Sequence, residues 1–370
     1  MAKKLPEQWG ADFRNVRPHA TAFTNDLRRL LEHHLESKGI DAQIEHRTKS
    51  VDSFVEKIHR KNEKYKDPLA EITDLCGLRV ICYYLEDVAS VGELIEQQFD
   101  VDWANSVRYG PESDPERFGY RSDQYIVYLS EDRKKLLEWE KYCDRCAEIQ
   151  VRTIMQHAWA AVDHKIRYKG KDLPTEVRRR FSRLSALLET ADEQFSSIRD
   201  QSKKVEAQYR RSIEAQDYDV SLDVLSLRGY LQSTKVTIEW AEKALELGYA
   251  EPVFWEDLQK SPEDYLTEED LGDPLQALGV NKRHSIEAVQ ELMGQAKLWG
   301  EDALREVLIN SKERGFTPYA VPKDILAFLA LYDAENLSAV KNFTYHDEIL
   351  IGLRETIRAK KKPSKDKGPS

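Results

Sequence analysis

This sequence lacks the long apolar run of a membrane protein: no stretch approaches the ~18 residues that a spanning helix needs. Cysteine is scarce, four in 370 residues, so no disulfide scaffold is expected to carry the fold. Neither a Walker loop nor a Gly-x-Gly-x-x-Gly fingerprint occurs. Phosphates of a bound nucleotide would then be gripped by side chains and not by a helix N-terminus. The opening stretch MAKKLPEQWGADF has no apolar core of a secretory signal, and the expectation is a cytoplasmic protein. A net charge of −10 argues against a global attraction to nucleic acid or membrane while leaving room for a local basic patch.

The chain does have a hydrophobic fraction of 41%, enough to build a core. Its 370 residues make room for about two domains at roughly 150 residues each. Phe23, Leu27, Leu30, Leu31 and Leu35 predict a helix over 21–38, stopped by Gly39. Residues 41–48 read as a strand. Ser50 can cap a helix with Val51, Phe54, Val55 and Ile58 on one face. Residues 72–85 read as a strand interrupted near Gly77, 88–99 as a helix, and 108–119 as a polar loop. Residues 122–129 and 147–152 read as strands. Thr153 then opens a helix with Gln156 as its capping-box partner. Gly170 would end that helix, and another would run from Pro174 to about 200. Beyond that the strand signal stops, and helical patterns alternate with breakers such as Gly248, Pro252, Gly315 and Pro322.

The expected class is therefore α+β: a small mixed sheet flanked by helices over 20–205, then an all-α region over 220–358. A disordered basic tail would occupy 359–370.

Chemistry concentrates in the first region. In Ala147-Glu148-Ile149-Gln150-Val151-Arg152 apolar and polar residues alternate strictly, so Glu148, Gln150 and Arg152 share one strand face. That face is either solvated or the floor of a polar cleft. Asp74 and Arg79 lie in the apolar run 72–85, where charge needs a partner. They either pair with each other or bind a ligand. Arg47 and Lys49 are two apart on a strand. Lys57, Arg60 and Lys61 share a helix face. Two carboxylates and several cations are the ingredients of a magnesium–polyphosphate site, because magnesium takes one or two carboxylates together with substrate phosphates.

Together H-R-T-K-S, K-I-H-R-K, D-L-C-G-L-R-V, G-Y-R-S, E-I-Q-V-R-T and W-A-A-V-D-H-K-I-R-Y-K, in this order over about 20–200, resemble the synthetase domain of the RelA/SpoT alarmone synthetases. With no hydrolase or regulatory module of the long members, the chain looks like a small alarmone synthetase with a long C-terminal extension. The resemblance implies a nucleotidyltransferase-like fold and transfer of pyrophosphate from ATP to the 3′-hydroxyl of GDP or GTP. By motif position, Asp74 would hold magnesium, and Glu148 would hold magnesium, activate the hydroxyl, or do both. Arg47 and Arg79 would sandwich adenine. Lys49, Lys57, Arg60 and Lys61 would hold phosphates. Tyr120 would stack on the acceptor base, with Arg121 beside it, and Gln150 would contact that base from below.

Departures from the family pattern fall on the acceptor side. The loop P-E-S-D-P-E-R-F lacks the usual lysine and asparagine, and Arg117 would stand in for the lysine. Asp123-Gln124 follow Ser122 where a histidine is usual. His157 occupies a position that is often asparagine, and either contacts the acceptor or packs its helix. The acceptor is thus left open between a guanine nucleotide, an adenine nucleotide and the 3′ end of tRNA. In the last case Arg178, Arg179, Arg180 and Arg183 would meet RNA; otherwise they form a solvated helix face. A homo-oligomer is also left open. Cys143 and Cys146 are read as ordinary thiols and not as half a metal site.

Overall fold

The computed structural model describes residues 4–61, 64–108, 122–167, 174–253, 255, 268–334, 352–353 and 356. The chain divides into two compact units, Met1–Arg199 and Asp200–Ser370.

In the first unit α1 (Pro6–Ser37) buries Phe13, Ala20, Phe23, Leu27, Leu31 and Leu35, a helical stripe. It starts well before residue 21, where the apolar spacing had put it. Pro6 in the first turn needs no intrahelical N–H partner. Further on, Phe13 stacks on Phe54 with ring centroids 4.6 Å apart, inside a small cluster with Ile72 and Leu75. That packing extends the helix through Pro18, which interrupts the backbone bonding without ending it.

Five strands form one sheet: β1 (Ala42–Thr48), β2 (Cys76–Cys82), β3 (Phe99–Val101), β4 (Asp123–Leu129) and β5 (Cys146–Thr153). Their order is β1-β2-β5-β4-β3, with β2 and β5 parallel and every other pair antiparallel. β5 therefore lies at the centre. Ala147, Ile149 and Val151 are fully buried with Leu78, Val80, Tyr125, Val127 and the α1 stripe. Burying the larger of these side chains, such as Ile149 and Val151, stabilises by roughly 1.5–3 kcal/mol each. The opposite face carries the polar set. Connecting helices are α2 (Val51–Lys61), α3 (Pro68–Glu71), α4 (Leu85–Gln98) and α5 (Glu131–Lys134), then α6 (Ile154–Arg167) and α7 (Thr175–Glu214). Short β3 replaces the end of the helix expected over 88–99.

Thr153 and Gln156 make the reciprocal capping contacts, Thr153 N–H to Gln156 Oε1 at 2.9 Å and Gln156 N–H to Thr153 Oγ1 at 3.1 Å. The Thr153 hydroxyl also donates to Asp192 of α7 at 2.6 Å. Along α7, Ser196 donates to Glu86 at 2.9 Å and Arg199 pairs with Asp87 at 2.7 Å while stacking over Tyr84. α7 runs to Glu214, beyond the expected end near 200, because Ile213 is buried in the second unit's core.

The second unit is helical: α8 (Val224–Thr234), α9 (Val236–Leu247), α10 (Glu268–Val280), α11 (Ile286–Lys312) and α12 (Pro322–Ala334). Among its described residues there are isolated bridges but no strand. Every residue from Ile325 to Tyr332 of α12 is buried, so this helix is the unit's centre. Gly248 closes α9 at φ 104°, a left-handed position that suits glycine. The expected tail 359–370 lies outside the described residues.

Candidate active site

The polar face of the sheet is organised by its register. Arg47 pairs with Gly77, and Gly77 with Glu148. On the next row Glu45 pairs with Arg79, and Arg79 with Gln150. Directly opposed residues point to the same face, so Glu45, Arg47, Arg79, Glu148 and Gln150 stand side by side. Gly77 contributes no side chain between Arg47 and Glu148. A cavity of about 410 Å³ occupies that space, lined by Glu45, His46, Arg47, Asp74, Gly77, Leu78, Arg79, Glu148 and Gln150.

Asp74 is not on the strand where its apolar surroundings had put it. β2 starts at Cys76, and Asp74 sits in the turn before it, between buried Ile72 and Leu75. Nor does it pair with Arg79. Lys49 Nζ donates to its Oδ2 at 2.7 Å, and Lys57 Nζ lies 2.9 Å from Oδ1. Lys49 is carried just past β1 and held by its backbone. Its N–H donates to Leu75 O at 2.9 Å, and its carbonyl accepts from Arg17 Nε at 3.0 Å. Lys57 comes from the first two turns of α2, whose Phe54 anchors that helix in the small core. Burial pushes the Asp74 carboxyl up. The hydrogen bonds and charges of Lys49 and Lys57 outweigh it and hold the carboxyl below its ordinary value.

Glu148 is oriented by its neighbour, since Gln150 Nε2 donates to Glu148 Oε1 at 2.6 Å. Arg79 meets Glu45 at 2.5 Å. Arg152 is only 5% exposed, and its Nε has no partner among the described residues. Burial first, then the charge of Arg79, push its guanidinium down to about 10 against the pull of Glu45. His157, on the first turn of α6, has a buried Nδ1 without a described partner. Burial and then Arg152 keep its imidazole below the ordinary value.

Of the residues singled out from sequence, Arg47, Asp74, Arg79, Glu148 and Gln150 thus line one cavity, and Lys49 and Lys57 join it through Asp74. Arg60 and Lys61 are exposed on the last turn of α2. Arg117, Tyr120 and Arg121 lie outside the described residues. Glu45 was overlooked, although strand alternation two residues before Arg47 puts it on the same face. All four cysteines are free thiols. Burial pushes Cys146 up to about 11. No group of three or more His, Cys, Asp or Glu among the described residues could hold a metal.

A profile of the region found in RelA / SpoT proteins matches residues 46–172, a span that contains every lining residue except Glu45. GTP pyrophosphokinase YjbM of Bacillus subtilis (strain 168) is 30% identical over 218 residues, 57% of this chain and 96% of that protein. GTP pyrophosphokinase YwaC of the same organism is 31% identical over 162 residues, covering 42% and 74%. The chain belongs to the RelA/SpoT family. Among solved structures, small alarmone synthetase 2 of Bacillus subtilis is similar at 25% identity and a TM-score of 0.42, over 51% of this chain and 99% of that one. Small alarmone synthetase 1 of that organism, bound to its product pppGpp, is similar at 24% and 0.40, over 53% and 98%. Membership rests on the two pyrophosphokinases. Within this RelA/SpoT chain the profile match ends before the second unit begins at Asp200.

Proposed function

We propose that this RelA/SpoT enzyme is a GTP pyrophosphokinase, which transfers pyrophosphate from ATP to the 3′-hydroxyl of GDP or GTP and releases AMP. The observation that carries the reading is the single cavity in which Asp74, Glu148, Arg47, Arg79 and Gln150 converge, in a chain that covers 96% of YjbM.

Arg47 and Arg79 offer planar guanidinium faces for adenine. Lys49 and Lys57 each carry three N–H donors. With one directed at Asp74, the others remain for the polyphosphate of ATP, and Arg60 and Lys61 extend the same charge along α2. The donor set also fits magnesium. Such an ion takes one or two carboxylates and fills its shell with phosphate and water. Asp74 and Glu148 supply two on one cavity, and Asp74 is held in its ionised form. Bound there, magnesium would supply positive charge against the polyphosphate.

The acceptor 3′-oxygen attacks the β-phosphorus, the bond from that phosphorus to the α-phosphate oxygen breaks, and AMP takes the electron pair. Glu148, fixed by Gln150, accepts the hydroxyl proton. The cations of β1 and α2 stabilise charge that grows on the leaving oxygen. Tyr120, Arg121 and Arg117 would flank the acceptor base, with Gln150 and His157. No described helix is long and apolar enough to cross a membrane, and a cytoplasmic enzyme drawing on the nucleotide pool goes with these substrates.

The test is transfer of β,γ-label from ATP, with magnesium, to GDP, GTP, ATP or deacylated tRNA supplied separately. Label on GDP and GTP is expected. Label on tRNA or ATP alone would overturn the guanine acceptor, and no transfer at all would overturn the activity.

A further inference from the structure

Glu45 has no part in the scheme above, although it lines the same cavity. Its place is set by register. Glu45 and Arg79 face each other on one rung of the β1–β2 ladder, and Arg47 and Gly77 on the next rung that points to the same face. These four positions make a square. The arginines stand at opposite corners, Gly77 leaves a third corner open, and the fourth is a carboxylate. A flat ring held between the two arginines passes over the open corner and meets Glu45 at its edge.

Glu45 Oε2 is committed to Arg79 at 2.5 Å. Among the described residues Oε1 has no hydrogen-bond partner, and the side chain is 53% exposed, lining the cavity. An ionised carboxylate only accepts hydrogen bonds. Adenine presents N–H donors at its 6-amino group. Guanine presents an oxygen there, which would oppose the carboxylate. Building on the donor site described above, we propose that Glu45 is a specificity-determining residue that accepts a hydrogen bond from the 6-amino group of the donor base and so selects ATP.

A purely orienting role, in which Glu45 only steadies Arg79, makes a different forecast, because stacking on Arg79 does not depend on the 6-amino group. The experiment is calorimetric titration of the full chain, with magnesium, against ATP and against purine riboside 5′-triphosphate, which lacks that group. The native chain should bind ATP about tenfold more tightly, the scale of one partly exposed charge-assisted hydrogen bond. Glu45→Ala should bind both ligands equally, at the analogue's level. Glu45→Gln, whose amide oxygen still accepts, should keep part of the preference. Equal affinities in the native chain, or equal losses for both ligands in Glu45→Ala, would overturn the assignment. The transfer assay separates this from the activity. Preference for ATP without transfer would sink the pyrophosphokinase reading alone. Transfer without preference would sink the role of Glu45 alone.

Discussion

The two faces of β5 differ by one step of the chain and by everything that matters chemically. On one face Ala147, Ile149 and Val151 are fully buried in the core that also holds the apolar residues of α1 and α4. On the other Glu148 and Gln150 line a cavity, and Arg152 sits buried with an Nε that has no partner among the described residues. The first face stores stability through apolar area. The second holds charges in place through the framework that the first provides. Change on one face should therefore read out as stability, and change on the other as catalysis with little change in folding.

The sharpest separation comes from neighbours in sequence. Glu148→Gln keeps size and polarity, so transfer should fall about 10²–10⁴-fold, as for loss of a general base. Its melting free energy should stay within about 0.5 kcal/mol of the native value. A Glu148→Gln protein of native activity would remove the role assigned to this residue. Ile149→Ala, one residue on, should lose about 2–5 kcal/mol in denaturant unfolding, while the folded fraction still binds ATP. Intact stability there would mean that the apolar face is not the load-carrying one.

Gly77→Val tests the space between the faces. A Cβ alone would sit 3.6 Å from Arg47 Cγ, an ordinary contact, so the backbone should tolerate it. The added methyls would enter the cavity and weaken ATP binding by about 1–3 kcal/mol, measured by titration. Unchanged binding would show that the nucleotide lies elsewhere.

The smallest effect concerns Asp74. Its folded carboxyl titrates below its unfolded value, chiefly because the two lysines outweigh burial. The stabilisation it brings is present above the unfolded value, about 3.9, and is lost as pH falls through the lower folded value. The melting-temperature gap between the native chain and Asp74→Asn should be steady at pH 5–7 and close below about pH 4. A gap that persists at low pH would assign the effect to shape and not to charge.

Much of this molecule was legible in its sequence. Alternation in 147–152 marked both faces of β5, the Thr153–Gln156 pair marked the start of α6, and the vanishing strand signal marked the helical second half. The ordered motifs also pointed to the family. Less legible was whatever depended on partners distant in the chain. Asp74 read as strand-borne because the residues around it are apolar. It lies in a turn because Ile72 and Leu75 are buried with Phe13 and Phe54. The length of α1 was hidden for the same reason.

By itself the sequence determined which side chains share a strand face, because period two is a local property of the backbone. Only the tertiary structure decided who stands beside whom. Register brought Glu45 to Arg79 and Gly77 between Arg47 and Glu148. Packing of α2 brought Lys57, with Lys49, onto Asp74. Charge pairing acts over a few ångströms of space whatever the separation along the chain, so these partners become visible only once the chain has folded.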